Sequence, residues 1–167
     1  MLDYTKEDLI ELGAEITTRE IYQQPQVWQT AFENYKAQAY EIAVFLNNID
    51  EKYDYVKVIL TGAGTSAYVG DTLLPYFRKI YDERKWNFNA IATTDIVANP
   101  LAYLHKEVTT ILVSFARSGN SPESVAAVDL AKDIVKELYQ ITITCAAEGK
   151  LAQQAHGDER NLLLLQP

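Results

Sequence analysis

Apolar side chains recur along this chain at two different periods, and the change of period falls near Val56. Before it the spacing is helical. Phe32, Tyr35, Ala39, Ile42, Ala43 and Leu46 follow one another at intervals of three and four, which builds one apolar stripe on a helix of 3.6 residues per turn. Asp3 or Thr5 is placed to cap a first short helix, and Gln23–Pro25 predicts a break ahead of the stripe. Residues 1–34 thus read as a helical leader and 35–167 as the main domain. A leader with an apolar stripe must pack on the rest of the domain or on a second subunit.

From Val56 short apolar runs alternate with helical stripes. Five strands are predicted, within Val56–Leu60, Phe88–Thr94, Thr109–Phe115, Ile141–Cys145 and Leu162–Leu165. Between them Val69, Leu73, Tyr76 and Ile80 mark a helix that Pro75 should bend or divide. Further helices are predicted near Pro100–His105, along Val125, Val128, Ala131, Ile134 and Leu138, and from Lys150. Continuous apolar strands interleaved with amphipathic helices imply an α/β fold: a parallel five-stranded sheet, helices on both faces, right-handed crossovers. The expected strand order is 2-1-3-4-5, which places the ligand crevice beyond the carboxyl ends of the first and third strands.

Composition narrows the class. With 167 residues and 48% hydrophobic side chains, the chain suits one domain with a sizeable core. A net charge of -8 without a Lys/Arg stripe argues against nucleic acid as a partner. A small anion is still allowed, because salt screens distant charges beyond about 10 Å. The single cysteine, Cys145, excludes an internal disulfide, and with His105 and His156 far apart there is no metal-ligand spacing, so neither metal nor cofactor is expected. No apolar run approaches the roughly 20 residues of a membrane helix, and a signal-peptide core is missing, so a cytoplasmic protein is expected. The chain stops at Leu162–Pro167, directly after an apolar strand, which suggests one domain of a longer polypeptide.

Two loops carry candidate chemistry. The first, Thr61-Gly62-Ala63-Gly64-Thr65-Ser66-Ala67, joins a strand to a helix. Glycines admit a ligand close to the backbone, the helix start offers N–H groups and a positive dipole end, and Thr65 and Ser66 add hydroxyls. The plainer reading is a tight turn capped by Ser66. A nucleotide P-loop is excluded, because Asp71 stands where that motif needs lysine. A dinucleotide fingerprint fits Gly62-x-Gly64-x-x-Ala67, although Asp95, its candidate ribose ligand, lies more than thirty residues on where about twenty is usual.

The second loop is Ser114-Phe115-Ala116-Arg117-Ser118-Gly119-Asn120-Ser121-Pro122-Glu123. Ser121 is a good N-cap, Pro122 suits the first helical position and Glu123 the first turn. A capped turn needs none of Arg117, Ser118 and Gly119, whereas an anion site uses all three as cation, hydroxyl and close-approach backbone. Two such helix starts at neighbouring strand ends favour a phosphomonoester over a dinucleotide.

The pair Gly62-Ala63-Gly64-Thr65-Ser66 and Ala116-Arg117-Ser118-Gly119-Asn120-Ser121 resembles the two signature loops of the sugar isomerase (SIS) family, G-x-G-x-S after strand one and S-x-S-G-x-[ST] after strand three. The resemblance implies a three-layer, flavodoxin-like SIS domain over residues 35–167 and a phosphosugar held by Gly64, Thr65, Ser66, Arg117, Ser118, Gly119 and Ser121. Ala116 departs from the pattern where many members carry serine, and Arg117 is then placed to compensate. Residues 60–71, 92–97 and 114–124 are similar to the tagatose-6-phosphate ketose/aldose isomerase and galactosamine-6-phosphate deaminase group, and Thr18–Pro25 to the segment ahead of the isomerase part of glucosamine-6-phosphate synthases. Both groups carry two SIS domains in tandem, so the resemblance implies a first domain packed against a second, and a homodimer or larger assembly.

Isomerisation and deamination of such sugars need a general base near C1–C2 and an acid for ring opening. Asp71, Asp95, His105 and Glu123 qualify by type only, and the resemblance implies that the base comes from a second domain or subunit. A phosphosugar-sensing regulator and a nicotinamide-dinucleotide domain are the alternatives. Cys145 reads as a small packed side chain, and Trp28 and Trp86 as core or interface anchors.

Overall fold

The computed structural model describes residues 4–167. Asp3 lies outside the described residues, and Thr5 takes the capping role. Its hydroxyl accepts from the Asp8 N–H at 3.1 Å while the Asp8 carboxylate accepts from the Thr5 N–H at 2.8 Å, a reciprocal box that starts α1, Lys6–Glu11. The next helix, α2, runs Glu15–Lys52 without interruption. The expected break at Gln23–Pro25 is therefore absent. Pro25 costs one backbone bond, but the turn it frees, around Ile21 and Tyr22, is exposed, so water can serve the orphaned carbonyl.

The chain divides into two units, one up to Ala37 with Pro167, the other Gln38–Gln166. In the first, the helical stripe is largely solvent-facing: Trp28 is 64% exposed and Phe32 57%, so Trp28 is no core residue. Only Thr18 is buried among the described residues of that stretch.

The second unit holds a five-stranded parallel sheet of order β2-β1-β3-β4-β5. Its strands are β1 Val56–Gly62, β2 Trp86–Ala90, β3 Thr110–Ala116, β4 Leu138–Thr144 and β5 Asn161–Leu165. The crossovers are α3 Ala67–Ile80, α4 Thr93–Ala98, α5 Pro100–Tyr103, α6 Pro122–Ile134 and α7 Lys150–Ala155. Pro75 does not divide α3. β2 begins and ends earlier than its apolar run, since Trp86 pairs with Val56, and Thr93 and Thr94 belong to the first turn of α4. Leu138, expected at the end of a helical stripe, instead opens β4 opposite Thr110, α6 having closed at Ile134.

Alternate strand residues point to opposite faces, and the core splits accordingly. On one face Ile59, Leu112 and Leu138 pack with Ile96, Leu104, Ala127, Val128 and Ala131 from α4 to α6. On the other, Val58, Leu60, Ile111, Val113 and Leu162 meet Ile49 of α2 and, partly buried, Leu73 and Phe77 of α3. Trp86 is half-buried, its indole N–H donating to Asp50 Oδ1 at 2.8 Å. Cys145 is exposed rather than packed, because β4 ends at Thr144 and Cys145 is the first residue beyond the sheet.

At the opposite edge from the strand carboxyl ends, the Tyr53 hydroxyl donates to Glu137 Oε2 at 2.8 Å and lies 3.1 Å from the Tyr139 hydroxyl. Lys52 and Arg160 approach the same carboxylate at 3.9 and 3.3 Å. Burial pushes the Tyr53 phenol up to about 12, the Lys52 bond opposing and Tyr139 and Glu137 adding to the rise. An unfolded tyrosine releases its proton near pH 10, so the unfolded chain binds fewer protons between the two values. This contribution to stability is complete below about pH 10 and is lost as pH rises toward 12. Denaturant unfolding across that window should show wild-type stability falling with pH, and Tyr53→Phe should flatten the decline.

Candidate functional site

β1 and β3 lie side by side with Thr61 opposite Ser114 and Gly62 opposite Phe115. Neighbouring strands are about 4.8 Å apart, so the loops that follow them leave the sheet at one level and at adjacent positions. The topological switch point predicted from the strand order is thus where both candidate loops emerge.

In the first loop a 3-10 turn, Gly64–Ser66, leads directly into α3. Gly62 sits so close to this turn that a Cβ there would fall 2.6 Å from the Ser66 carbonyl carbon. Gly64 has φ +55, a conformation that other residues reach only under strain. The Ser66 N–H donates to Ala63 O at 3.2 Å, and the Thr93 hydroxyl donates to Gly62 O at 3.2 Å, tying the start of α4 to the loop from behind. Ser66 holds the N-cap position of α3, yet its side chain makes no capping bond. The capped-turn reading would have consumed that hydroxyl.

The second loop rests on the turn between β4 and α7. Arg117 O accepts from the Cys145 N–H and from the Thr144 hydroxyl, each at 3.1 Å. Gly119 O accepts from the Leu151 N–H at 3.1 Å, and Asn120 Oδ1 accepts from the Lys150 N–H at 3.0 Å. Asn120 and Gly119 therefore cap α7 from a distant loop, and Gly119 can turn that way because its φ is +65. Contact is tightest at Gly149, where a Cβ would stand 2.3 Å from Ser118 O.

Within this loop the Asn120 N–H makes one long bond, 3.4 Å, to Ser118 Oγ. Among the described residues the N–H groups of Ser118, Gly119 and Ser121 donate to nothing. Ser121 occupies the N-cap of α6 with Pro122 behind it, but its hydroxyl, like that of Ser66, makes no capping bond. Arg117 is exposed and forms no ion pair among the described residues. The carbonyls of Gly62, Arg117 and Gly119 are thus bound to the protein, while the Ser66 and Ser121 hydroxyls make no capping bond and several N–H groups of the second loop have no acceptor among the described residues. Two helices of 14 and 13 residues add their positive ends at the same place. In a chain of net charge -8, the two helix starts concentrate local positive character at these strand ends.

The structure brings Gly64, Thr65 and Ser66 to the mouth of β1 and Arg117, Ser118, Gly119 and Ser121 to that of β3. Sequence reading missed the supports, Thr93, Thr144, Gly149 and the amide of Asn120. The glycine directly before α7 was the legible signal. Among the acid–base candidates, Asp71, Asp95 and His105 are exposed and Glu123 is half-buried. Among the described residues no group of three or more His, Cys, Asp or Glu side chains is arranged to hold a metal. A groove of about 860 Å³ lined by Gln38, Glu41, Val44, His156 and Leu163 lies between α2 and β5, apart from both loops.

The chain is similar to known proteins over most of its length. The chain is 44% identical over 146 residues to the D-galactosamine-6-phosphate deaminase AgaS of Shewanella sp. strain ANA-3, a match covering 87% of this chain and 37% of that protein. The crystal structure of tagatose-6-phosphate ketose/aldose isomerase from Escherichia coli superposes with a TM-score of 0.82 at 40% identity, covering 89% of this chain and 40% of the other. A Clostridium novyi protein provisionally assigned to the same isomerase reaches a TM-score of 0.88 at 43% identity, covering 98% and 41%. The chain spans about two-fifths of the length of these relatives. The SIS domain profile matches residues 53–161, the stretch that carries both loops and β1 to β4 and ends at the first residue of β5. With the profile spanning most of the chain, this chain belongs to the SIS domain family.

Proposed function

We propose that this chain is the phosphosugar-binding domain, residues 35–167 behind a helical leader 1–34, of an enzyme that isomerises or deaminates a hexose or hexosamine 6-phosphate. One observation carries the reading: two helix starts emerge at adjacent strand ends with the Ser66 and Ser121 hydroxyls uncommitted to capping. The names of the relatives, galactosamine-6-phosphate deaminase and tagatose-6-phosphate isomerase, supply the substrate class.

In this reading Gly64, Thr65 and Ser66 cradle one side of the phosphoryl group, and Ser118, Gly119 and Ser121 the other. Arg117 supplies the one fixed positive charge and offsets the hydroxyl absent at Ala116. The phosphate is remote from C1 and C2, so binding it contributes by fixing the open-chain sugar in orientation. Proton transfer between C1 and C2 through an enediol, or the same first step in loss of ammonia, then falls to a base and acid supplied from elsewhere in the assembly. The relatives are more than twice as long as this chain, which supports packing against a second SIS domain. A homodimer or larger homo-oligomer in the cytoplasm, with a sugar phosphate rather than nucleic acid or membrane as its partner, completes the proposal.

Ser66→Ala and Ser118→Ala should each weaken tagatose 6-phosphate binding by about tenfold to a hundredfold, the range for a hydrogen bond to a charged group. Calorimetric titration measures this, and unchanged binding would remove the cradle assignment. Melting temperature should hold nearly constant, since Ser66 makes no side-chain capping bond and Ser118 Oγ only a 3.4 Å contact. Gly149→Ala should also weaken binding, here with a loss of stability, because its Cβ would strike Ser118 O and displace the loop. In thermal-shift assays galactosamine or tagatose 6-phosphate should stabilise the protein, by about 2.7 kcal/mol at a hundredfold excess over Kd. NAD(H) should not, and the reverse order would favour the dinucleotide alternative.

A further inference from the structure

Hydroxyl side chains gather where β1, β3 and β4 end on the face covered by α4 and α6. Thr61, Ser114 and Thr142 stand side by side in register across the three strands, and all are buried. Ser124 lies in the first turn of α6, on the buried side that also carries Ala127, Val128 and Ala131. Those residues pack with Ile59 and Leu112, which sit two positions before Thr61 and Ser114. Strand alternation therefore puts Thr61 and Ser114 on the face that the first turn of α6 covers.

Two hydroxyls of this region have clear work. Thr93 holds Gly62 O and Thr144 holds Arg117 O, one carbonyl from each loop. Thr61 Oγ1 and Ser124 Oγ are screened from solvent and have no partner among the described residues, in residues only 1% and 3% exposed. Native proteins leave few buried hydroxyls unpaired, and simple filling of this space would call for valine and alanine. Two other buried atoms are unpartnered among the described residues, Gln38 Oε1 and Gln154 Oε1. Their amide nitrogens are bonded, to Leu163 O at 3.5 Å and Asp129 Oδ1 at 3.1 Å, so those side chains are already accounted for. The hydroxyls of Thr61 and Ser124 are unbonded among the described residues, and each residue adjoins a loop: Thr61 directly precedes Gly62, and the Ser124 N–H donates to Ser121 O at 3.0 Å.

We propose that Thr61 and Ser124 are positioning residues of the anion site, whose hydroxyls gain hydrogen-bond partners when the loops 62–66 and 116–121 tighten around a phosphoryl group. The inference rests on the phosphosugar reading above. Neither oxygen is open to a ligand, so both act through the loop backbone. Pairing of the two hydroxyls and binding of the anion are then one linked event. Deleting a hydroxyl should relieve the free protein and weaken the bound one, an opposition of sign that ordinary structural damage does not produce.

The test measures melting temperature without ligand, and affinity for galactosamine 6-phosphate, in the 167-residue chain and its Thr61→Val, Thr61→Ser and Ser124→Ala variants. Thr61→Val and Ser124→Ala should melt at or above the wild-type temperature yet bind about five- to tenfold more weakly. Thr61→Ser should restore wild-type binding. Wild-type binding in both deletion variants overturns the inference and leaves the phosphosugar reading standing, as does a joint loss of melting temperature and affinity in both. Because the two positions lie on different elements, misfolding of one variant leaves the other to decide. A wild-type chain with no affinity for galactosamine 6-phosphate overturns the phosphosugar reading and this inference with it.

Discussion

The parallel pairing of β1 with β3 is the constraint from which the rest follows. Their register, Thr61 to Ser114 and Gly62 to Phe115, brings two loops separated by some fifty residues of chain to one level. A slip of one residue would move every side chain of a strand to the opposite face, taking Ile59 or Leu112 out of the core formed with α4 and α6. The hydrophobic pattern that stabilises the sheet thus also fixes the geometry of the crevice. Energetically the two are one arrangement, since burying a single large aliphatic side chain contributes about 1.5–3 kcal/mol and several on each strand depend on this register.

A second layer of interactions decides which polar groups face the crevice. Each loop has a carbonyl drawn backward, Gly62 O by Thr93 and Arg117 O by Cys145 and Thr144. Carbonyl oxygens repel a phosphoryl group, so binding them to the protein leaves donors as the accessible atoms. The glycines act in the same direction. Gly62 lets the loop fold against Ser66, and Gly149 lets the β4–α7 turn press against Ser118, in both cases with no room for a Cβ. Local positive character arises from backbone orientation and one guanidinium, while the protein as a whole stays acidic.

Much of this was legible in the amino-acid sequence, for physical reasons that can be named. Buried strands of a parallel sheet are continuously apolar, so Val56–Leu60 and Thr109–Phe115 stand out, and strands alternating with helices leave few topologies. The position of the two loops was readable because glycine and hydroxyl side chains cluster after the apolar runs of β1 and β3. Boundaries failed where a residue serves two masters. Leu138 continues the helical period of α6 yet belongs to β4, because pairing with Thr110 outweighs periodicity. Pro25 breaks the local rule without breaking α2, whose exposed turn tolerates a missing bond. Supports such as Thr144 and Gly149 were hidden because they act across space on a loop some thirty residues earlier, a distance that no local pattern encodes.

That distance has a consequence for how the domain matures. Arg117, Gly119 and Asn120 take their final shape only against Thr144, Cys145, Lys150 and Leu151. A nascent chain that has completed β1, β3 and α6 therefore owns the motif residues but not the final shape of the 117–120 loop, which waits for the β4–α7 segment to dock. The shape of that loop becomes a gauge of whether a later portion of the fold has closed, and an intermediate lacking it carries the loop residues fully synthesised yet unshaped.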